Sequence, residues 1–385
     1  MSLINYGKQF LDKDDFNSVK KVLGSDNLTQ GPTIKRFEEK LKEKLGSKYC
    51  TVVSNGTAAL HLLALALNWK KGDIILTTPL SFVATSNCIL YAGATPVFVD
   101  IDVSTGNICP VKLSKKINSL TKKNKKIKAV IAIDYGGCPC DWAKLKSIAK
   151  KNKILLINDG CHSLGSSINN NKQYASKFAD FVTYSFHPVK PITTGEGGAI
   201  LTNNKKIDYK IKKLRTHGIE KITKKGAWFY DMSHLGFNYR ITDFQCALGI
   251  SQLKKLNQFT IKRNKIAKIY SKAFVNIKYV TRQNIKKNYL SSYHLYPLRI
   301  DFKKLRINKV EFFKKLIKRG IKLQVHYIPI YKHSYYKKKF NYNHKQFPCT
   351  EKFYEEVVSL PIYFDLSKKK QLYIIRSIKK LIIKK

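Results

Sequence analysis

The stretch Cys50-Thr-Val-Val-Ser-Asn-Gly-Thr-Ala-Ala-Leu-His-Leu-Leu-Ala-Leu-Ala-Leu67 holds the unit from which the fold is read. Cys50 to Ser54 is short, β-branched and apolar, which predicts a strand. Thr57 to Leu67 is apolar on nearly every face, which predicts a helix buried all round. The alternation repeats outward along the chain. Asp73 to Thr77 reads as a strand, Phe82 to Tyr91 as a helix, and Thr95 to Val99 as a strand. Lys128 to Asp134 and Ile154 to Asn158 are strands on either side of a helix at Trp142 to Lys151, and strand runs recur at Phe181 to Phe186 and Ala199 to Thr202. Strands that are apolar on both faces and separated by helices predict an α/β fold, with a mostly parallel central sheet covered by helices on both faces.

After Gly198 the pattern changes. Lys205 to Arg215 reads as a helix, Gly218 to Asn238 is aromatic and irregular, and Ile241 to Phe274 is one helix long enough to link two domains. Short strands and amphipathic helices follow, at Lys309 to Arg319 and Lys368 to Ile383, which predicts a smaller C-terminal α+β domain. Ser334 to Pro348, rich in Lys, Tyr and His, reads as a mobile loop. A chain of 385 residues is long for a single core, so two domains are expected, a large one over 1–255 with an N-terminal arm and a small one over 256–385.

Composition narrows the function. A hydrophobic fraction of 43% suits a globular chain and argues against disorder. The eight cysteines, Cys50, Cys88, Cys109, Cys138, Cys140, Cys161, Cys246 and Cys349, form no CxxC pair, which predicts no metal site and thiols kept reduced. The N-terminus lacks the apolar core of a signal peptide, and the run Ala58 to Trp69 is too short to span a bilayer, so a cytoplasmic protein with no membrane partner is expected. The net charge of +48 would suit a nucleic-acid binder. Yet the 73 cations include only nine arginines, and the lysines are spread along the whole chain among Ile and Asn. No nucleic-acid module is recognisable, so a lysine-rich surface with no nucleic-acid partner is the expectation. Such a surface draws in anionic small molecules in a salt-dependent way.

Three stretches at strand ends carry the chemistry, where ligands collect in open α/β sheets. Ser54-Asn-Gly-Thr57 joins a strand to a helix, and its small residues can close on an anion at the helix N-terminus. An ordinary turn capped by Ser54 or Thr57 explains it as well. Asp159 ends a buried strand, where a carboxylate needs a cationic or hydrogen-bonding partner. A helix cap at Gly160 is the alternative. His162 lies three residues on and could reach the same ligand. In Ser185-Phe-His-Pro-Val-Lys190-Pro-Ile-Thr-Thr-Gly195-Glu-Gly-Gly198, one lysine sits on a loop beside a strand end, where an amine can form a Schiff base with a carbonyl. A phosphate cradle, an acid for a ring nitrogen and an amine for a carbonyl are the groups that pyridoxal 5′-phosphate (PLP) requires.

Taken together these segments resemble the sugar aminotransferases of the DegT/DnrJ/EryC1/StrS family, which have the aspartate-aminotransferase-like fold (PLP fold type I). The resemblance also rests on Leu28-Thr-Gln-Gly31-Pro, Pro79-Leu-Ser-Phe-Val-Ala-Thr85, Asp159-Gly-Cys-His-Ser-Leu-Gly165, Gly236-Phe-Asn-Tyr-Arg-Ile-Thr-Asp243 and His326-Tyr-Ile-Pro-Ile-Tyr331. It implies that Lys190 bonds the cofactor PLP, Asp159 pairs with its ring nitrogen, Phe82 stacks on the ring and His162 lies near its hydroxyl. It implies that Gly56, Thr57 and Ser185 bind the phosphate, joined by Asn238 from a partner subunit of a homodimer with shared active sites. Thr29, Gln30, Glu196, His326 and Tyr327 are implied near the substrate. The Lys190 segment is most similar to members that serve pseudaminic acid biosynthesis. This implies a UDP-linked 4-keto-6-deoxy N-acetyl sugar aminated at C4 by an amino-acid donor, glutamate. A UDP-linked 4-keto arabinose is the rival substrate. Gly160 stands where the family often has Ala or Ser.

Overall fold

A computed structural model describes residues 3–383. Its centre is a seven-stranded sheet formed by β1 (Tyr49–Val53), β2 (Ile74–Thr77), β3 (Thr95–Phe98), β4 (Ile127–Ile133), β5 (Leu155–Asp159), β6 (Phe181–Ser185) and β7 (Gly198–Thr202). Their spatial order is β1-β7-β6-β5-β4-β2-β3. All neighbours are parallel except β7, which runs antiparallel to β6 and to β1. The period-2 alternation divides each strand between two cores. Val52, Leu76, Val130 and Leu156 face one, whereas Val53, Ile75, Ile131 and Ile157 face the other.

Helices cover both faces. On the first lie α1 (Pro32–Leu45), through Phe37 and Leu41, and the later helix Trp142–Lys151, through Trp142 and Leu145. The second face is covered by α2 (Gly56–Ala66) and α3 (Ala84–Tyr91), and by Ile211 and Leu214 of Lys205–Arg215. α2 is buried at every position except Thr57 and Leu65, the outcome its apolar run predicts. Its N-cap is Asn55, whose side chain accepts the Ala58 N–H, so neither Ser54 nor Thr57 is the cap. α3 begins at Ala84 rather than at Phe82, which leaves Phe82 on the preceding loop, 56% exposed.

The long helix α4 (Asp243–Phe274) starts in a capping box between Thr242 and Gln245. Leu253, Leu256 and Phe259 join the sheet's core, whereas Ile266, Ala267, Tyr270 and Phe274 join a separate one. That second core is built on an antiparallel sheet of β8 (Val280–Arg282), β9 (Tyr296–Ile300) and β10 (Val357–Leu360), packed by α5 (Lys309–Lys318) and α6 (Lys368–Ile382). Ile4, near the N-terminus, is also part of it.

The segment Ser334–Pro348 is not a free loop. It contains a helical turn at Ser334–Lys339, and Tyr336 and Phe347 are buried against Phe98 and Tyr331. Its aromatics outweigh its lysines, which stay at the surface while the rings pack.

Candidate active site

The parallel strands place the three chemical stretches at one edge of the sheet. In register, Val53 of β1 and Ser185 of β6 flank the same residue of β7, Gly198. Asp159 closes β5, two strands from β7. The turn after β1, the loop after β6 and the end of β5 therefore meet, in a cavity of 1430 Å³.

Closeness is enforced by glycine. A Cβ on Gly56 would lie 2.8 Å from Ser185 Cβ and 3.4 Å from Cys161 Sγ, so the first residue of α2 can touch the end of β6 only without a side chain. A Cβ on Gly198 would lie 2.5 Å from the Asn55 carbonyl oxygen. The N–H groups of Gly56 and Thr57 have no acceptor within the helix and stand at its positive end, beside the Ser185 hydroxyl, which suits a phosphate.

The Lys190 loop is a hairpin connection between β6 and β7. It is held by Phe186 N–H to Gly197 O (2.8 Å), Thr194 N–H to Phe186 O (2.9 Å) and Lys190 N–H to His187 O (2.9 Å). Burial lowers the Lys190 pKa, and the acidic groups of Cys161 and Asp159 oppose the shift. Asp159 is 5% exposed. One carboxylate oxygen accepts the Thr85 hydroxyl at 2.7 Å and the other the Cys161 N–H at 3.3 Å. Thr85 Oγ1 in turn lies 2.6 Å from the Ser81 hydroxyl, so Ser81 donates to Thr85 and Thr85 to Asp159. No helix follows Asp159, so its carboxylate is not a helix cap.

The residues present fit PLP: a lysine amine, a buried carboxylate oriented by donors, and an anion cradle that a Cβ would fill, around one cavity. Residues 9–379 match the DegT/DnrJ/EryC1/StrS aminotransferase family. The chain belongs to that family. The aminotransferase is 42% identical over 367 residues to a Campylobacter jejuni UDP-4-amino-4,6-dideoxy-N-acetyl-beta-L-altrosamine transaminase, covering 95% of this chain and 94% of the relative. Helicobacter pylori PseC, an aminotransferase involved in the biosynthesis of pseudoaminic acid, superposes with a TM-score of 0.91 at 36% identity, with 99% of each chain covered. The PLP form of the putative sugar aminotransferase Spr1654 from Streptococcus pneumoniae superposes with a TM-score of 0.89 at 26% identity, covering 98% of each chain.

The cavity of this aminotransferase is lined by Gly56, Thr57, Phe82, Asp159, His162, Ser185, Lys190, Glu196, His326 and Tyr327. Three residues singled out in the sequence lie outside it. Thr29 bridges Thr242 just before α4, Gln30 is the next exposed residue, and Asn238 bridges Thr216 on an exposed strip. Tyr6, His61, Tyr239, His294 and Gln324 line the cavity without having been marked beforehand. Tyr239 stood in the quoted Gly236–Asp243 segment and His61 in the opening stretch, but nothing marked either as a site residue, and the other three come from elements far apart in sequence. Thr85 stood in a quoted motif, but nothing in its neighbours disclosed that it would orient Asp159.

The imidazoles are held neutral. Burial, then the Lys190 ammonium, lowers the pKa of His162 well below its ordinary value. The same causes push His326 down to about 3. His326 Nδ1 lies 2.8 Å from Ser359 Oγ, and its carbonyl accepts the Tyr135 hydroxyl. No group of His, Cys, Asp and Glu able to hold a metal, and no helix long and apolar enough to cross a membrane, occurs among the described residues.

Proposed function

We propose that the chain is a PLP-dependent aminotransferase that moves an amino group from an amino acid, glutamate, to C4 of a UDP-linked 4-keto-6-deoxy N-acetyl sugar, as in pseudaminic acid biosynthesis. The observation that carries it is one cavity lined by Lys190, Asp159 and the Gly56–Ser185 cradle, in a chain 42% identical to an altrosamine transaminase. Bound there, PLP supplies a carbonyl that takes up amines and an electron sink for the proton shift.

The chain's own residues supply the rest. Lys190 would hold the cofactor through Nζ, and as a free amine the same atom would carry the proton. Its lowered pKa keeps more of the amine in the basic form that removes a proton. Asp159, fixed by Thr85 and Cys161, offers its carboxylate to a protonated ring nitrogen. Phe82 presents an exposed ring for stacking, and His162, which lines the same cavity, would lie near the cofactor hydroxyl. Gly56, Thr57 and Ser185 bind the phosphate. Glu196, His326 and Tyr327 line the sugar side.

Thr29, Gln30 and Asn238 serve the site of a second subunit in a homodimer with shared active sites. The exposed Trp228, Tyr230, Met232 and Leu235, on the strip that leads to Asn238, support this arrangement. The protein works in the cytoplasm, where sugar nucleotides and glutamate are available. The large unit, 1–255, carries the cofactor, and 256–385 forms the small one.

The test is a panel of UDP-linked 4-keto sugars, including the 4-keto arabinose, incubated with glutamate and the PLP-loaded protein, with products identified by mass and NMR. A 4-amino product from the N-acetyl 6-deoxy sugar is expected. No amination of any sugar, or full turnover by Lys190→Ala, would overturn the reading.

A further inference from the structure

We infer that Tyr327 is a committed hydrogen-bond donor into the cavity, its direction set by a single tautomer of His162. The Gly136 N–H donates to His162 Nδ1 at 3.3 Å. A backbone amide can only donate, so Nδ1 carries the lone pair and the ring proton sits on Nε2. Nε2 lies 2.9 Å from Tyr327 Oη. The proton between them is therefore the imidazole's, and Tyr327 accepts it. The phenol's own proton remains free for another acceptor, and Tyr327 lines the cavity.

The ring orientation is fixed by the same two contacts. A half-turn about the Cβ–Cγ bond would put carbons where both nitrogens now sit and lose both bonds. His294 packs on the ring with centroids 4.4 Å apart, and its own buried Nδ1 has no partner. His294 is thus a packing neighbour of His162, with no hydrogen bond to either of its nitrogens. Burial keeps His162 neutral and raises the Tyr327 phenol, so both groups hold these protons at neutral pH.

The acceptor is an oxygen, either the cofactor's ring hydroxylate or an oxygen of the sugar. This part of the inference rests on the proposed aminotransferase function, whereas the tautomer does not. His162 Nε2–H is already engaged with Tyr327, so Tyr327 would be the group that delivers a proton to that oxygen.

The tautomer is measured on the cofactor-free protein labelled with 15N-histidine, the His162 signals being assigned by their loss in His162→Gln. A neutral ring with the proton on Nε2 is expected. An Nδ1–H ring, or an imidazolium, at neutral pH overturns the proposal whatever the enzyme does. Tyr327→Phe in the loaded enzyme then reads the acceptor. A changed visible spectrum, or a changed spectral titration, assigns the donor to the cofactor oxygen. An unchanged spectrum with kcat/KM for the sugar down by about tenfold, and the glutamate half-reaction intact, assigns it to the sugar. If neither readout moves, Tyr327 is not a donor to either and the proposal fails.

Discussion

Gly56→Ala is the most informative single change, because its cost can be worked from distances. The new Cβ would stand 2.8 Å from Ser185 Cβ and 3.3 Å from Ser185 Oγ. Carbon atoms pack at about 3.5–4.0 Å, so the overlap is roughly 0.7–1.2 Å. Overpacking of this kind costs about 1–3 kcal/mol, and replacing a helical glycine with alanine returns about 0.5–1 kcal/mol. The expected net loss is about 0–2.5 kcal/mol, centred near 1 kcal/mol, read as a lower urea midpoint at unchanged m-value in the cofactor-free chain. Relief of the clash pushes α2 away from β6 and opens the phosphate cradle, so PLP affinity should fall by about tenfold or more, or about 1.4 kcal/mol. The double variant Gly56→Ala/Ser185→Gly removes the nearest clashing atoms, leaving Cys161 Sγ at 3.4 Å. It should recover stability but not PLP affinity, because the Ser185 hydroxyl is gone. Gly198→Ala should cost more than Gly56→Ala, because its Cβ would meet backbone, the Asn55 carbonyl oxygen at 2.5 Å and Gly56 N at 2.9 Å. Wild-type stability and PLP affinity in Gly56→Ala would refute the reasoning.

Thr85→Val removes the 2.7 Å donor to Asp159 and should lower PLP affinity several-fold with little change in fold, by titration and circular dichroism. Unchanged affinity would show that Asp159 needs no orienting donor. The folded pKa of His326, about 3, lies below its ordinary value of 6.5, so the unfolded chain binds the proton first as pH falls. Its penalty is absent above pH 6.5, grows as pH falls toward about 3, and reaches about 2 kcal/mol at pH 5. Unfolding of His326→Gln followed from pH 7 to pH 5 should show a shallower acid loss than wild type, and parallel curves would refute this. Tyr336→Phe deletes the hydroxyl that meets Ser86 Oγ at 2.7 Å and Asn87 Oδ1 at 2.8 Å. It should destabilise by about 1–2 kcal/mol in urea unfolding, whereas no effect would mean that Ser334–Pro348 is mobile after all.

Much of the fold was legible because the strands are apolar on both faces and the helices keep their own period. The runs at Cys50, Asp73, Lys128 and Ile154 start or end within a residue or so of the observed strands. The direction of β7 was not legible. Its residues, Gly198–Thr202, are as apolar as those of the parallel strands, and hydrophobicity carries no sign of direction. The same limit applies to strand-end carboxylates. Asp134 follows β4 much as Asp159 closes β5, yet Asp134 is fully buried and saturated by Trp142 Nε1, Tyr174 Oη, Asn158 Nδ2 and Cys140 N–H. One carboxylate became scaffold and the other faces the cavity, and only the third dimension separates them. Ser334–Pro348 misled for a related reason, since lysine frequency hid the spacing of its buried aromatics.

The hairpin that carries Lys190 has a consequence for engineering. Its two ends, Ser185 and Gly198, are registered partners on adjacent strands, and Gly198 is also registered with Val53. The amine's coordinates are therefore inherited from the spacing of three strands. Inserting or deleting a residue between Ser185 and Gly198 would move the nucleophile relative to the anion cradle, even if every side chain were kept. Redesign of substrate scope should hold that loop length constant and vary instead cavity-lining positions outside the hairpin, such as Gln324 and Ile328.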